Sequence, residues 1–204
     1  MKKPCYKKLT KHVTFWFFSL ALIHSLEFSG HAKNSEFYIM PFENVSQVFE
    51  TRLRGAPSVR TQELAKHFYD LCKKFDFDPA FMLGVIDVES SFDGQAISPM
   101  GARGLMQLMP QTAYLMAKRA GVMLKGESDI HDPYKNILLG IHYLAHLREK
   151  YNGHRAHYLA AYLAGPARVD ELIASGQWKM RQTKKYVGLI LNRMNEYQAL
   201  HRTM

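Results

Sequence analysis

Phe81-MLGVIDVESSFDGQAISPMGARGLMQLMPQT-Ala113 is the stretch on which the reading of the whole chain turns. Its apolar residues Phe81, Met82, Val85, Ile86 and Val88 recur at helical spacing, which predicts a helix whose last turn carries Glu89 among apolar neighbours. A carboxyl group placed there loses water, which favours its protonated form and raises its pKa. Such a group can donate a proton near neutral pH. Position alone favours a structural ion pair, because a perturbed carboxylate marks function only statistically. After Glu89 come a serine-flanked turn, a loop with two glycines (Gly101 and Gly104) and a second helical segment opened by Pro110.

Outward from this stretch the chain reads as helix after helix. Upstream, Asp78-Pro79 supplies an N-cap and a first-turn proline. Before it, Leu64, Phe68, Leu71, Cys72 and Phe75 mark an amphipathic helix, with Ala56-Pro57-Ser58 as a boundary and Ser58 as its cap. Lys33 to Arg54 reads as an extension or a short leading helix. Downstream, the helix from Pro110 runs to about Ala120 and stops at Gly121. Asp132-Pro133 repeats the cap-plus-proline device and opens a long helix through Tyr151, with Ile137, Leu138, Ile141, Leu144, Ala145 and Leu147 as its buried stripe. A further helix spans Tyr158 to Ala164, closes at Gly165 and restarts after Pro166. Thr183 caps the last, whose inward positions are Tyr186, Val187, Ile190, Leu191, Met194 and Tyr197. Strand signals and repeats are missing, so the expected fold class is all-α.

At 204 residues the chain has room for one domain with a substantial core. Five lysines precede an apolar run from Val13 to Ile23, and Gly30-His31-Ala32 offers small residues for cleavage, so residues 1–32 are expected to be a secretory signal. Residues 33–57 then form an N-terminal extension and 58–204 the domain. The apolar run falls short of the roughly 20 residues a spanning helix needs, so no membrane span is expected once the signal is gone. Cys5 precedes that run and is not placed for lipid attachment. Without the signal, Cys72 is the one cysteine left, expected as a buried hydrophobe that forms no intrachain disulfide. The formal charge of +9 falls to +5, because the signal removes five lysines and Glu27. An exported basic protein points to an acidic polymer or an anionic surface outside the cytoplasm rather than to nucleic acid. His142, His146 and Glu149 share a face of the long helix, but Tyr143 breaks the zinc-protease pattern, so a solvated basic face is expected and no metal.

Three motifs together carry a family resemblance: Glu89-Ser-Ser-Phe92, Ala96-ISPMGARGLMQLMPQT-Ala113 and Ala160-AYLAGPAR-Val169. In this order and spacing they resemble the soluble lytic transglycosylase (SLT) domain, a relative of goose-type lysozyme, over about residues 75 to 195. The resemblance implies a lysozyme-like helical fold with a substrate cleft, and an exported, periplasmic, wall-associated enzyme. It implies cleavage of the MurNAc–GlcNAc β-1,4 bond of peptidoglycan without water, leaving 1,6-anhydromuramoyl ends. No cofactor is called for. The partner it implies is the glycan strand, with a secretion or conjugation machinery as a further candidate. A hydrolytic lysozyme-like muramidase and a non-catalytic glycan-binding or assembly protein stand as alternatives.

By motif match Glu89 takes the role of single acid and base. Ser98 matches the serine of the S-x-x-G-A turn, expected to bond the carboxylate or the substrate's acyl amide; on its own it reads as a turn hydroxyl. Gln107 matches a glutamine that reaches sugar hydroxyls or the N-acetyl group, and Met106 is expected to line the cleft, although a methionine at helical spacing also serves as core filler. Tyr162 matches a tyrosine whose hydroxyl orients the acid. Gly101 and Gly104 are read as close-approach or positive-φ positions. Of the neighbouring carboxylates, Asp87 lies on another helix face and reads as structural, while Asp93 is the candidate hydrolytic partner that the motif does not require. One departure stands out: Leu163 occupies the usual asparagine position, removing an amide that binds sugar or holds local backbone. Ala167 in place of glycine is a milder one.

Overall fold

A computed structural model of the chain describes residues 40–56, 60–179 and 183–200. In chain order the helices are α1 (Phe42–Arg52), α2 (Thr61–Lys74), α3 (Pro79–Ser90), α4 (Pro110–Ala120), α5 (Pro133–Lys150), α6 (Arg155–Ala164), α7 (Pro166–Ala174) and α8 (Lys184–Leu200), with a 3-10 turn at Glu127–His131. Among the described residues extended pairing is confined to isolated bridges, so the all-α expectation holds. The proposed signal, the start of the extension and Ser58 lie outside the described residues.

The cap-plus-proline device works at both of its occurrences. Asp78 accepts the Ala80 amide at 2.8 Å and opens α3; Asp132 accepts the Lys135 amide at 2.9 Å and opens α5. Each satisfies one of the amides that a helix start leaves without an intrahelical partner. Gly121 stops α4 with φ +67°, a left-handed conformation that glycine adopts without penalty. α6 starts at Arg155, three residues before the expected Tyr158, because the turn through Asn152 (φ 50°) and Gly153 (φ 76°) lets the chain re-enter a helix at once.

α3 is buried on every side from Pro79 to Asp87, which explains why its sequence is apolar almost throughout rather than on one stripe. α8 crosses it so closely that a Cβ on Gly84 would lie 2.8 Å from the Ile190 carbonyl oxygen. α1 joins the same core. Its Val45, Val48 and Phe49 are buried, and the Phe49 ring lies 5.3 Å from Phe68 and 5.8 Å from Phe92. Burying a side chain of that size contributes about 2–3 kcal/mol. A second cluster under α4 gathers Leu108, Ala113, Met116, Ala117, Ile130 and Leu139, and Tyr143 and Tyr162 pack against both clusters. The segment from Glu89 to Met109 runs across this junction.

Candidate active site

Glu89 stands in the last turn of α3, with its residue surface partly open and its carboxyl group largely out of water. Loss of hydration pushes its pKa from 4.5 up to about 7, and the Tyr186 hydroxyl, which donates a hydrogen bond to Oε1, pulls the other way. Among the described residues no cation and no second carboxylate adds to that balance. Burial thus keeps the carboxyl group partly protonated near neutral pH, and one hydroxyl from α8 holds it in place.

The turn after Glu89 is pinned from several directions. Ser91 and Phe92 both take positive φ, 51° and 62°, a conformation that costs a bulky residue energy unless its surroundings over-determine it. Phe92 is held there by complete burial, by the edge of the Phe49 ring and by the Arg52 guanidinium 5.3 Å above its own ring. Ser90 Oγ donates to the Leu105 carbonyl at 2.8 Å, tying the end of α3 to the glycine loop.

That loop is clamped from below by Asn136 of α5. The fully buried amide accepts from the Met106 N–H at 2.7 Å and donates to the Arg103 and Ile130 carbonyls at 3.0 and 2.8 Å. The approach requires glycine at 104: φ is +75°, and a Cβ would lie 2.5 Å from Asn136 Nδ2. Gln107, itself at φ 46°, donates from Nε2 to the Ala96 and Gly104 carbonyls at 3.1 and 3.0 Å. The loop is therefore a rigid floor rather than a flap.

The residues singled out from sequence come to this region, but several do other work than the resemblance implies. Ser98 Oγ accepts the Ala102 amide at 3.0 Å, the turn role rather than a bond to Glu89. Met106 is fully buried and does not line a cleft; its side chain fills the space over Gly140, where a Cβ would meet its sulfur at 2.4 Å. Gln107 spends its amide nitrogen on the loop backbone and keeps Oε1 without a donor among the described residues. The Tyr162 hydroxyl donates to the Met106 carbonyl at 2.7 Å, and Glu89 accepts instead from Tyr186. Burial first, and then the Glu89 charge, pushes the Tyr162 hydroxyl well above its ordinary range, so it stays a donor beside the acid.

Asp87 is structural: Arg52 approaches it at 2.6 Å, Arg193 at 3.3 Å, and the Tyr197 hydroxyl donates to it at 2.9 Å. Asp93 accepts the Gln95 amide at 2.9 Å within its own turn. Leu163 is 52% exposed at the end of α6. His142, His146 and Glu149 form no three-ligand group, and none is found among the described residues. Sequence reasoning missed Tyr186 as a site residue and Asn136 altogether. The available signals were a tyrosine on an inward stripe, whose hydroxyl needs a partner, and an amide interrupting the apolar face of α5.

The transglycosylase SLT domain matches residues 68–185. A soluble lytic murein transglycosylase of Salmonella typhimurium is 34% identical over 95 residues, covering 46% of this chain and 15% of that protein. An inactive Glu-to-Gln mutant of the lytic transglycosylase Slt of Pseudomonas aeruginosa superposes with a TM-score of 0.57 at 30% identity, covering 67% of this chain and 24% of that one. The 70 kDa soluble lytic transglycosylase of Escherichia coli gives 0.60 at 26% identity over the same shares. The matched part of this chain therefore spans a quarter or less of the length of each of these relatives.

Proposed function

The chain belongs to the transglycosylase SLT domain family, and on that premise we propose that it cleaves the MurNAc–GlcNAc β-1,4 bond of peptidoglycan without water, with Glu89 as its single acid and base. The observation that carries this reading is the isolation of Glu89. One carboxyl group titrates near pH 7 beside a hydroxyl donor, and the two nearest carboxylates in sequence are occupied, Asp87 by two guanidinium groups and Asp93 by its own turn. Hydrolysing glycosidases generally need a second carboxylate to attack or to activate water. With one, the substrate must supply the nucleophile.

In the proposed sequence Glu89 gives its proton to the glycosidic oxygen as the bond from C1 breaks, with the N-acetyl group assisting departure. The 6-hydroxyl of the same sugar then bonds to C1 and returns its proton to Glu89. No water enters, and the product carries a 1,6-anhydromuramoyl end. An attacker already within the substrate saves the entropic cost of positioning one. The inactive Glu-to-Gln mutant of the Pseudomonas relative supports a glutamate as the essential group. The rigid floor of the glycine loop, with Gln107 Oε1 unengaged among the described residues, supports a role for Gln107 in holding a sugar. The predicted signal supports action in the periplasm, and no helix of the described residues is long and apolar enough to cross a membrane. General wall turnover and local clearing for a secretion apparatus both fit such an enzyme.

Mass analysis of the fragments released from purified sacculi tests the reading. Anhydro ends from the wild type and no fragments from Glu89→Gln are the expected result. Reducing ends would make the protein a hydrolase, and binding to sacculi with no release of soluble fragments would make it a glycan-binding protein.

A further inference from the structure

A cleft of about 730 Å³ opens where the end of α2 meets the last turns of α5, and none of its walls comes from α3, the glycine loop or α8. It is distinct from the Glu89 site. On one wall the His142 ring sets its edge against Phe75, centroids 4.7 Å apart. Arg148 fixes that wall by donating to the Phe75 and Asp76 carbonyls at 2.6 Å each, so its guanidinium is committed. Arg119, reaching in from α4, is exposed and has no hydrogen-bond or ion-pair partner among the described residues.

The charges around this cleft are arranged but not paired. Burial, then Lys74 and Arg119, holds the His142 imidazole below its ordinary pKa. Burial, then Arg119, does the same to His146, with Lys150 adding a little and Glu149 opposing. Glu149 and Asp76 line the cleft, and neither forms an ion pair among the described residues. Cationic and anionic groups thus face one open volume without neutralising each other, which is the lining expected for a ligand that carries both signs.

We propose that this cleft is a binding site for a peptide bearing carboxylates and a free amino group. The carboxylates seat between Arg119 and the two histidines, and the amino group faces Glu149 and Asp76. For an enzyme of the wall, the matching ligand is the stem peptide attached to the glycan; that identification rests on the function proposed above, while the charge pattern of the cleft does not. A bound carboxylate favours imidazolium over imidazole, so binding takes up protons and is tighter at pH 6 than at pH 8.

The test follows the imidazole resonances of His142 and His146 by NMR in the full chain. The probe is N-acetyl-L-Ala-γ-D-Glu-L-Lys-D-Ala peptide, whose one free amine is on lysine, with the same peptide also acetylated on lysine and inorganic phosphate at matched ionic strength as comparison arms. Saturable shifts of both histidines, a higher pKa for each, weaker binding of the acetylated peptide and about tenfold weaker binding in Arg119→Ala are expected. Arg119→Lys should restore part of the loss. Overturning results are the absence of a saturable shift, an equal response to phosphate, or unchanged binding in Arg119→Ala. The probe has no glycosidic bond, so Glu89→Gln must bind it like the wild type. Failed wall cleavage with intact peptide binding indicts only the catalytic proposal, and the reverse indicts only this one.

Discussion

Two residues apart on α3, Asp87 and Glu89 carry the same functional group into opposite surroundings. Asp87 turns toward α1 and the far end of α8, where two guanidinium groups and a tyrosine hydroxyl take up its oxygens. Glu89 turns toward the start of α8 and meets burial and one tyrosine hydroxyl, with no cation among the described residues. Both tyrosines come from α8. What distinguishes the two surroundings is thus the presence or absence of arginine within reach. Both carboxylates accept from a tyrosine hydroxyl, so the hydroxyl does not distinguish the two surroundings.

The largest effect that can break this contrast is on activity. Glu89→Gln should lower the rate of sacculus cleavage about a thousandfold, the scale of a lost general acid, while Asp87→Asn that remains folded should cleave at close to the wild-type rate. If folded Asp87→Asn loses as much as Glu89→Gln in the same turbidity assay, the two carboxylates have been assigned the wrong way round.

Next in size is a linkage effect. A pKa raised from 4.5 to about 7 is worth about 3 kcal/mol between the two protonation states. The folded chain holds this proton more tightly than the unfolded one, so the stabilisation is complete below about pH 4.5 and is lost as pH rises through about 7. Urea unfolding of wild type and Glu89→Gln should therefore diverge by about 3 kcal/mol between pH 4 and pH 8, with the variant relatively more stable at high pH. A constant difference across that range would place the carboxyl group in water. Cleavage by the wild type should fall on the alkaline side of about pH 7 for the same reason.

Asp87→Ala sharpens the other half of the contrast. Removing the shared partner strands Arg52 and Arg193 beside the buried Tyr197 hydroxyl. The cost should be about 2 kcal/mol, below the usual figure for breaking a buried pair because the two arginines are 40% and 45% exposed. Thermal unfolding measures it. The smallest effect is expected from Tyr186→Phe: about a tenfold lower rate, with the alkaline limb of the pH profile displaced upward because a bond favouring the charged form is gone. A lower rate with an unmoved limb would leave the tyrosine a packing role only.

Most of the helical frame was legible because its signals are local. Asp78-Pro79, Asp132-Pro133, Pro110 and Gly121 each act within one turn of the residue they organise, and the helices begin or end there. Glu89 was legible as a buried-edge carboxyl group for the same reason. Its partner was not, because Tyr186 lies 97 residues away and looks in sequence like one more inward position of α8. Ser98 and Gln107 could be located but their bonds could not be read, since both are engaged with loop carbonyls and amides whose directions are set by Gly104 and Asn136. The core contribution of α1 was hidden by weak periodicity in a short helix that relies on Phe49 docking against Phe68 and Phe92.

The origin of the Tyr186 hydroxyl in the last described helix has a consequence for biosynthesis. A ribosome that has just finished Val169 has made every signature motif and the acid itself, yet α3 still lacks the helix that closes over Gly84 and the oxygen that steadies Glu89. On the function proposed above, the acid gains its hydroxyl partner only when α8 emerges and docks, so a prematurely terminated or C-terminally clipped product would carry all three motifs around an unfinished site.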